Sequence, residues 1–169
     1  FNGNEALIKK YAEKLSISFE RVEYAKNNFI RVVKVMKAFI LNNSVKSFLC
    51  LNNKLPQENK GLFDIKLLEE FADAIIKLYG INGLKGKDLL YSINSEDYDA
   101  KRAEFIQRLS KGEKLFVISS YNTVGAGQNL QYKAPGNDTI VAVNDYDRGD
   151  MEKDFDCIYL EKPTNLLVN

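Results

Sequence analysis

Past Ser44, short apolar runs alternate with amphipathic stretches, and this alternation restricts the fold more than any other feature of the chain. Residues 45–51 are a first apolar run, followed over 52–61 by a polar loop containing Pro56. Residues 65–78 then repeat Leu67, Leu68, Phe71, Ala74, Ile75 and Leu78 at helical spacing, with Gly80 as the stop signal. A second strand is expected over 88–93 and a helix over 97–109, carrying Ala103, Phe105, Ile106 and Leu109. Further strands are expected at 115–119, 139–143 and 156–160. Strands alternating with helices of this length predict right-handed βαβ units, hence an α/β fold with a mostly parallel, helix-flanked sheet.

The chain ahead of this pattern reads as helix. Val22, Ala25, Phe29, Val32, Val33, Met36, Phe39 and Ile40 recur at a 3.6-residue period, with Ser18 as the expected N-cap and Asn42, Asn43 and Ser44 as the end. A shorter helix is expected over 5–15. The expected organisation is a helical segment over 1–44 and an α/β domain over 45–169. The basic residues of the long helix, Arg21, Lys26, Arg31, Lys34 and Lys37, read as a solvated face.

Composition excludes several classes of function. At 169 residues and 45% apolar, the chain is long enough for the core of one domain. No apolar run approaches the roughly 20 residues of a membrane span, so no membrane partner is expected. With no His, a His-based triad, a His-ligated metal and an imidazole switch are all impossible within this chain. Cys50 and Cys157 lie in apolar runs and are expected to be buried, reduced thiols. Polar residues at Asn2, Asn4, Glu5, Lys9 and Lys10 break up any signal peptide, so a cytoplasmic location is expected. The chain opens on Phe1, and is expected to be part of something longer. Net charge is +1 but uneven: residues 1–46 carry +5 and residues 138–169 carry −5. A basic front of this kind suits either a nucleic-acid face or a solvated helix.

The most informative segment is 114–130. An apolar strand runs into Ser119 and Ser120, then into a Gly-x-Gly-x-Asn-Leu turn formed by Gly125, Gly127, Asn129 and Leu130. Ligands of open parallel sheets bind beyond the carboxyl ends of the strands, so this places hydroxyls and free backbone amides where a ligand would sit. A dinucleotide fingerprint would need a third glycine where Leu130 stands, and the phosphate loop ending Gly-Lys-Ser/Thr is absent from the chain. A glycine-containing surface turn is the alternative. The acidic stretch with Asp145, Asp147 and Asp150 departs from a calcium loop in its glycine position and its missing closing Glu, and reads as a solvated loop.

Ser120, Gly125, Gly127 and Asn129-Leu130 after a buried strand resemble motif V of superfamily 2 helicases, especially the Swi/Snf-like branch. The helix and basic turn over 99–114, with Arg102, look like those preceding that motif. Residues 45–53 stand where motif IV would, and 155–165, with Pro163, are similar to the strand and turn leading toward motif VI. The resemblance covers 45–169 and implies the second RecA-like domain of an ATP-driven helicase or translocase, truncated before motif VI.

By that resemblance, Ser120 and Arg102 would contact the nucleic-acid backbone, with Lys101 a further candidate. Gly127 and Asn129 would lie close to the ATP ribose. ATP with Mg2+ would be bound by the parent protein and not by this piece alone. The implied partners are nucleic acid, held without sequence preference, and the first RecA-like domain. The Walker A lysine and the Gln-x-x-Gly-Arg motif carrying an arginine finger are absent, so this piece alone is expected to be inactive. The alternative is a non-motor α/β module that binds a protein partner or a small ligand through the same loops.

Overall fold

A computed structural model describes residues 19–58, 63–124, 130–136 and 152–162 of the chain. The expected helix over 5–15, the Ser18 cap, the expected strand over 139–143 and the acidic stretch around Asp147 fall outside the described residues.

Helix α1 spans Phe19–Leu41. Its apolar stripe, Phe29, Val32, Val33, Met36, Phe39 and Ile40, is buried, as the 3.6-residue period requires of a core-facing helix. The helix stops where Asn42 turns its side chain back on the chain: Asn42 Oδ1 accepts the Ser44 amide at 2.9 Å. Lys114 donates to the carbonyls of Asn42 and Val45, supplying the cation that a helix C-terminus favours.

Strands β1 (Ser47–Asn52), β2 (Leu90–Ser92), β3 (Leu115–Ser120) and β6 (Cys157–Leu160) form one sheet in the order β2-β3-β1-β6. All three pairings are parallel, which is the expected α/β architecture. Two short strands, β4 (Tyr132–Lys133) and β5 (Glu152–Lys153), pair antiparallel beside it. Two-residue strands carry no periodicity, and the sequence reading contains neither.

Every residue of β3 is buried, as befits a central strand covered on both faces. Alternate side chains serve two cores. Cys50, Phe116 and Ile118 pack with α1 and with helix α2 (Ile65–Leu78). Leu49, Leu115 and Val117 pack with helix α4 (Tyr98–Ser110), Tyr132 and Phe155. Helix α1 therefore shares a core with the sheet.

Helix α2 matches its expected span. Asp64 caps it by accepting the Lys66 amide at 2.9 Å. Gly80 ends it at φ +64°, and Ile81 donates back to the Ile76 carbonyl at 3.0 Å, closing a left-handed C-terminal turn. Helix α4 begins one residue inside its expected start, with Asp97 as its cap.

The expected strand over 88–93 is corrected. Residues Gly86–Leu89 form a one-turn helix, α3, and only Leu90–Ser92 join the sheet. The cause is tertiary: Asp73 on α2 accepts the Gly86 amide at 2.7 Å, and Leu89 is driven into the core under α2. A Cβ at Gly86 would collide with the backbone carbonyl of Glu69, so this close approach demands glycine. A short apolar run alone cannot tell these two states apart.

The cysteine expectation holds for Cys50, which is buried. Cys157 is only partly covered, because it lies on β6 at the edge of the four-stranded sheet. Among the described residues, no helix is long and apolar enough to cross a membrane.

At the amino end of the sheet, Asp156 locks β6 to β1. Its carboxylate accepts the amides of Lys46 at 2.8 Å and Ser47 at 3.0 Å, while its own amide donates to Ser47 Oγ. Partial burial pushes the carboxyl's pKa up, but Lys153 and the two amides outweigh this and hold it below the usual value. The stability it contributes is therefore complete above the usual carboxylate value of about 4 and is lost as pH falls through the lower folded value. Asp156→Asn is expected to lower stability at pH 7 by about 1–2 kcal/mol. In urea titrations the gap to the unmodified chain should shrink at pH 3, and a gap that does not change with pH would refute this role.

Candidate functional site

Because the four sheet strands are parallel, their carboxyl ends share one edge, and all four end in polar residues or run directly into them. β1 delivers Asn52 and Asn53, β2 delivers Ser92 and Asn94, β3 delivers Ser119 and Ser120, and β6 runs into Glu161 and Lys162. Apolar strand interiors with polar carboxyl ends are what a ligand-binding edge needs.

Ser120 stands in register with Asn52 on the neighbouring strand. It belongs to β3 itself, one residue beyond the expected strand end, and is buried. Its Oγ accepts the Thr123 amide at 3.3 Å and lies 2.9 Å from Thr123 Oγ1, capping the one-turn helix α5 (Tyr121–Val124). The two hydroxyls share two protons, of which their mutual bond uses one. Ser119 Oγ is committed elsewhere, donating to the Ile93 carbonyl at 3.1 Å and tying β3 to the end of β2.

Arg102 is on the second turn of α4, half-buried, and its charge acts on the Tyr98 hydroxyl. Lys101, beside it, is tied down: it donates to the Ser92 carbonyl at 2.9 Å and pairs with Asp97 at 2.8 Å. That makes Lys101 a fastener between α4 and β2. Gly127 and Asn129, with Gly125, lie outside the described residues.

The sequence reading missed most of the edge's polar framework. Glu161, directly after β6, is 2% exposed, and its carboxylate accepts a bidentate pair from Arg31 at 2.7 and 3.0 Å. Tyr159 adds a third bond at 2.9 Å, and the Glu161 carbonyl accepts Tyr121 Oη at 2.6 Å. Arg31 is thus corrected from a solvated residue to the partner of a buried acid. Burial and the adjoining Glu161 push the Tyr159 hydroxyl up to about 12, and burial above all pushes the Cys50 thiol up to about 12. Neither group is a nucleophile at neutral pH. Arg31 is raised further by the hydrogen bond to Glu161, outweighing its partial desolvation, and stays charged.

Asn52 was also missed as a site residue. It is fully buried, and its Oδ1 accepts the Asn53 amide at 2.9 Å, but its Nδ2 finds no acceptor. A buried amide hydrogen without a partner costs about 1–3 kcal/mol, which is the kind of defect that binding edges retain. An Asn at the end of an apolar strand was the available signal.

Among the described residues, no group of three or more Cys, Asp or Glu side chains gathers to hold a metal ion. No protein-family model matches the chain, and no curated protein matches it.

Proposed function

We propose that this chain is the second, RecA-like motor domain of a cytoplasmic ATP-dependent helicase or translocase, contributing contacts to nucleic acid and to ATP. The observation that carries the reading is the setting of the motif V-like segment. Its strand is the interior, wholly buried β3, and its hydroxyl Ser120 stands at the carboxyl edge in register with Asn52.

In this reading Ser120 and Arg102 hold backbone phosphates, the one through a neutral donor and the other through charge. Gly127 and Asn129 approach the ribose of ATP. When bound, ATP with Mg2+ supplies the energy of the cycle. The phosphate loop and arginine finger come from outside this chain, the former from the first RecA-like domain, so this chain alone does not turn ATP over.

Anisotropy of a fluorescein-labelled 20-nucleotide single strand provides the test. Arg102→Ala is expected to weaken binding several-fold at low salt and to lower the slope of log affinity against log salt by about 0.7. Ser120→Ala is expected to weaken binding while leaving that slope unchanged, since it removes no charge. Binding unaffected by both substitutions, or no binding by the unmodified chain, would overturn the reading in favour of a non-motor binding module. Nucleic-acid-stimulated ATP turnover by this chain alone would overturn its predicted dependence on a partner domain.

A further inference from the structure

We infer that Tyr24, on helix α1, is a base-stacking platform for single-stranded nucleic acid; the inference rests on the motor-domain reading above and extends its binding site to the segment before the α/β unit. Tyr24 is brought to the carboxyl edge by α1, whose stripe is locked into the core and whose Arg31 is clamped to Glu161 just beyond β6. Its hydroxyl accepts Asn53 Nδ2 at 3.0 Å, and the same nitrogen donates to the Lys162 carbonyl at 2.8 Å. One amide thus ties together the ends of β1 and β6 and the tyrosine, so the ring is oriented before any ligand arrives.

The residue is nevertheless exposed to solvent. Tyr24 is 42% exposed, although an aromatic ring held by its hydroxyl gains nothing from water on its face. Two exposed lysines flank the same asparagine: Lys54 follows it in the chain, and Lys162 supplies its carbonyl acceptor. Next to it stands Asn52, fully buried with its amide nitrogen unpartnered. An exposed aromatic residue held by its hydroxyl and flanked by cations matches a nucleobase with its phosphate: the ring takes the base and the ammonium groups the phosphate. Glu23, exposed at the neighbouring helix position, would repel a phosphate, so the contact has to rest on stacking more than on charge. The occupant is a single strand because bases in a duplex already stack on one another and offer no free face.

The experiment is binding of fluorescein-labelled oligo-dT of 20 nucleotides to the whole chain, by anisotropy over a range of salt. Tyr24→Ala is expected to weaken binding by about 5- to 150-fold, the span of one base-aromatic stack, with the salt slope unchanged. Tyr24→Phe, which keeps the ring and loses only the bond to Asn53, should stay within about threefold of the unmodified chain. Alanine is the better helix former at an exposed helix position, so thermal melting should show both variants folded.

Equal losses in the two variants would overturn stacking, and so would a duplex of the same length binding with equal sensitivity to Tyr24→Ala. If Tyr24→Ala binds normally while Arg102→Ala is weakened, this inference falls and the motor-domain reading stands. If neither variant nor Ser120→Ala differs from the unmodified chain, both fall.

Discussion

Arg31→Met is expected to destabilise the chain by about 3–5 kcal/mol, the cost of stranding a buried carboxylate without its counter-charge. Glu161 is 2% exposed, so a methionine in place of the bidentate guanidinium leaves its carboxylate poorly hydrated, and the hydroxyl of Tyr159 supplies only one neutral bond. Removing the other partner is milder. The Arg31 side chain is 41% exposed and can rehydrate, so Glu161→Gln should cost about 1–2 kcal/mol. The double variant Arg31→Met with Glu161→Gln should recover more than half of the loss caused by Arg31→Met alone. Urea unfolding of the four proteins gives the coupling directly. Additive losses would mean that the pair is no more than a surface contact. The pair also joins α1 to the carboxyl edge, so Arg31→Met should loosen whatever α1 presents there, Tyr24 included.

Phe116→Ala is expected to cost a similar amount, about 3–5 kcal/mol, for a different reason. Phe116 is fully buried at the centre of the sheet. Its ring stacks on Phe48 at 4.9 Å and leans on Phe39 at 5.7 Å, joining β3, β1 and α1 in one aromatic cluster. The neighbours are a stiff strand and a long helix, so the cavity left by alanine cannot collapse. The comparison is Phe116→Leu, which refills most of the volume and should lose about 1–2 kcal/mol. A Phe116→Ala variant with an unchanged urea midpoint would show that α1 does not share this core.

Those two residues mark the boundary of what could be read locally. Phe116 announces itself: it lies within an apolar run bounded by a charged turn and two serines, and such a run becomes a buried parallel strand. The stripes of α1, α2 and α4 are equally plain, because a core-facing helix writes its period into its own residues. The stops at Asn42 and Gly80 follow from single side chains or from the lack of one. The position of Ser120 was legible for the same reason, since a hydroxyl directly after an apolar strand has to emerge at the strand's carboxyl end.

The sequence could not show which distant residues would meet. Arg31 and Glu161 are 130 positions apart, and nothing around Arg31 distinguishes it from the lysines of the same helix. Asp156 finds Lys46 and Ser47, and Asn53 finds Tyr24 and Lys162, only once the order β2-β3-β1-β6 has set the strands side by side. The split of 88–93 into a helical turn and a strand likewise depended on Asp73, which lies on another helix. Periodicity and end signals act over a few residues of chain, so the elements and their buried faces were settled there. Pairing of a charge, an amide or a hydroxyl depends on distance in space, and only the packed sheet determined which polar groups share its carboxyl edge.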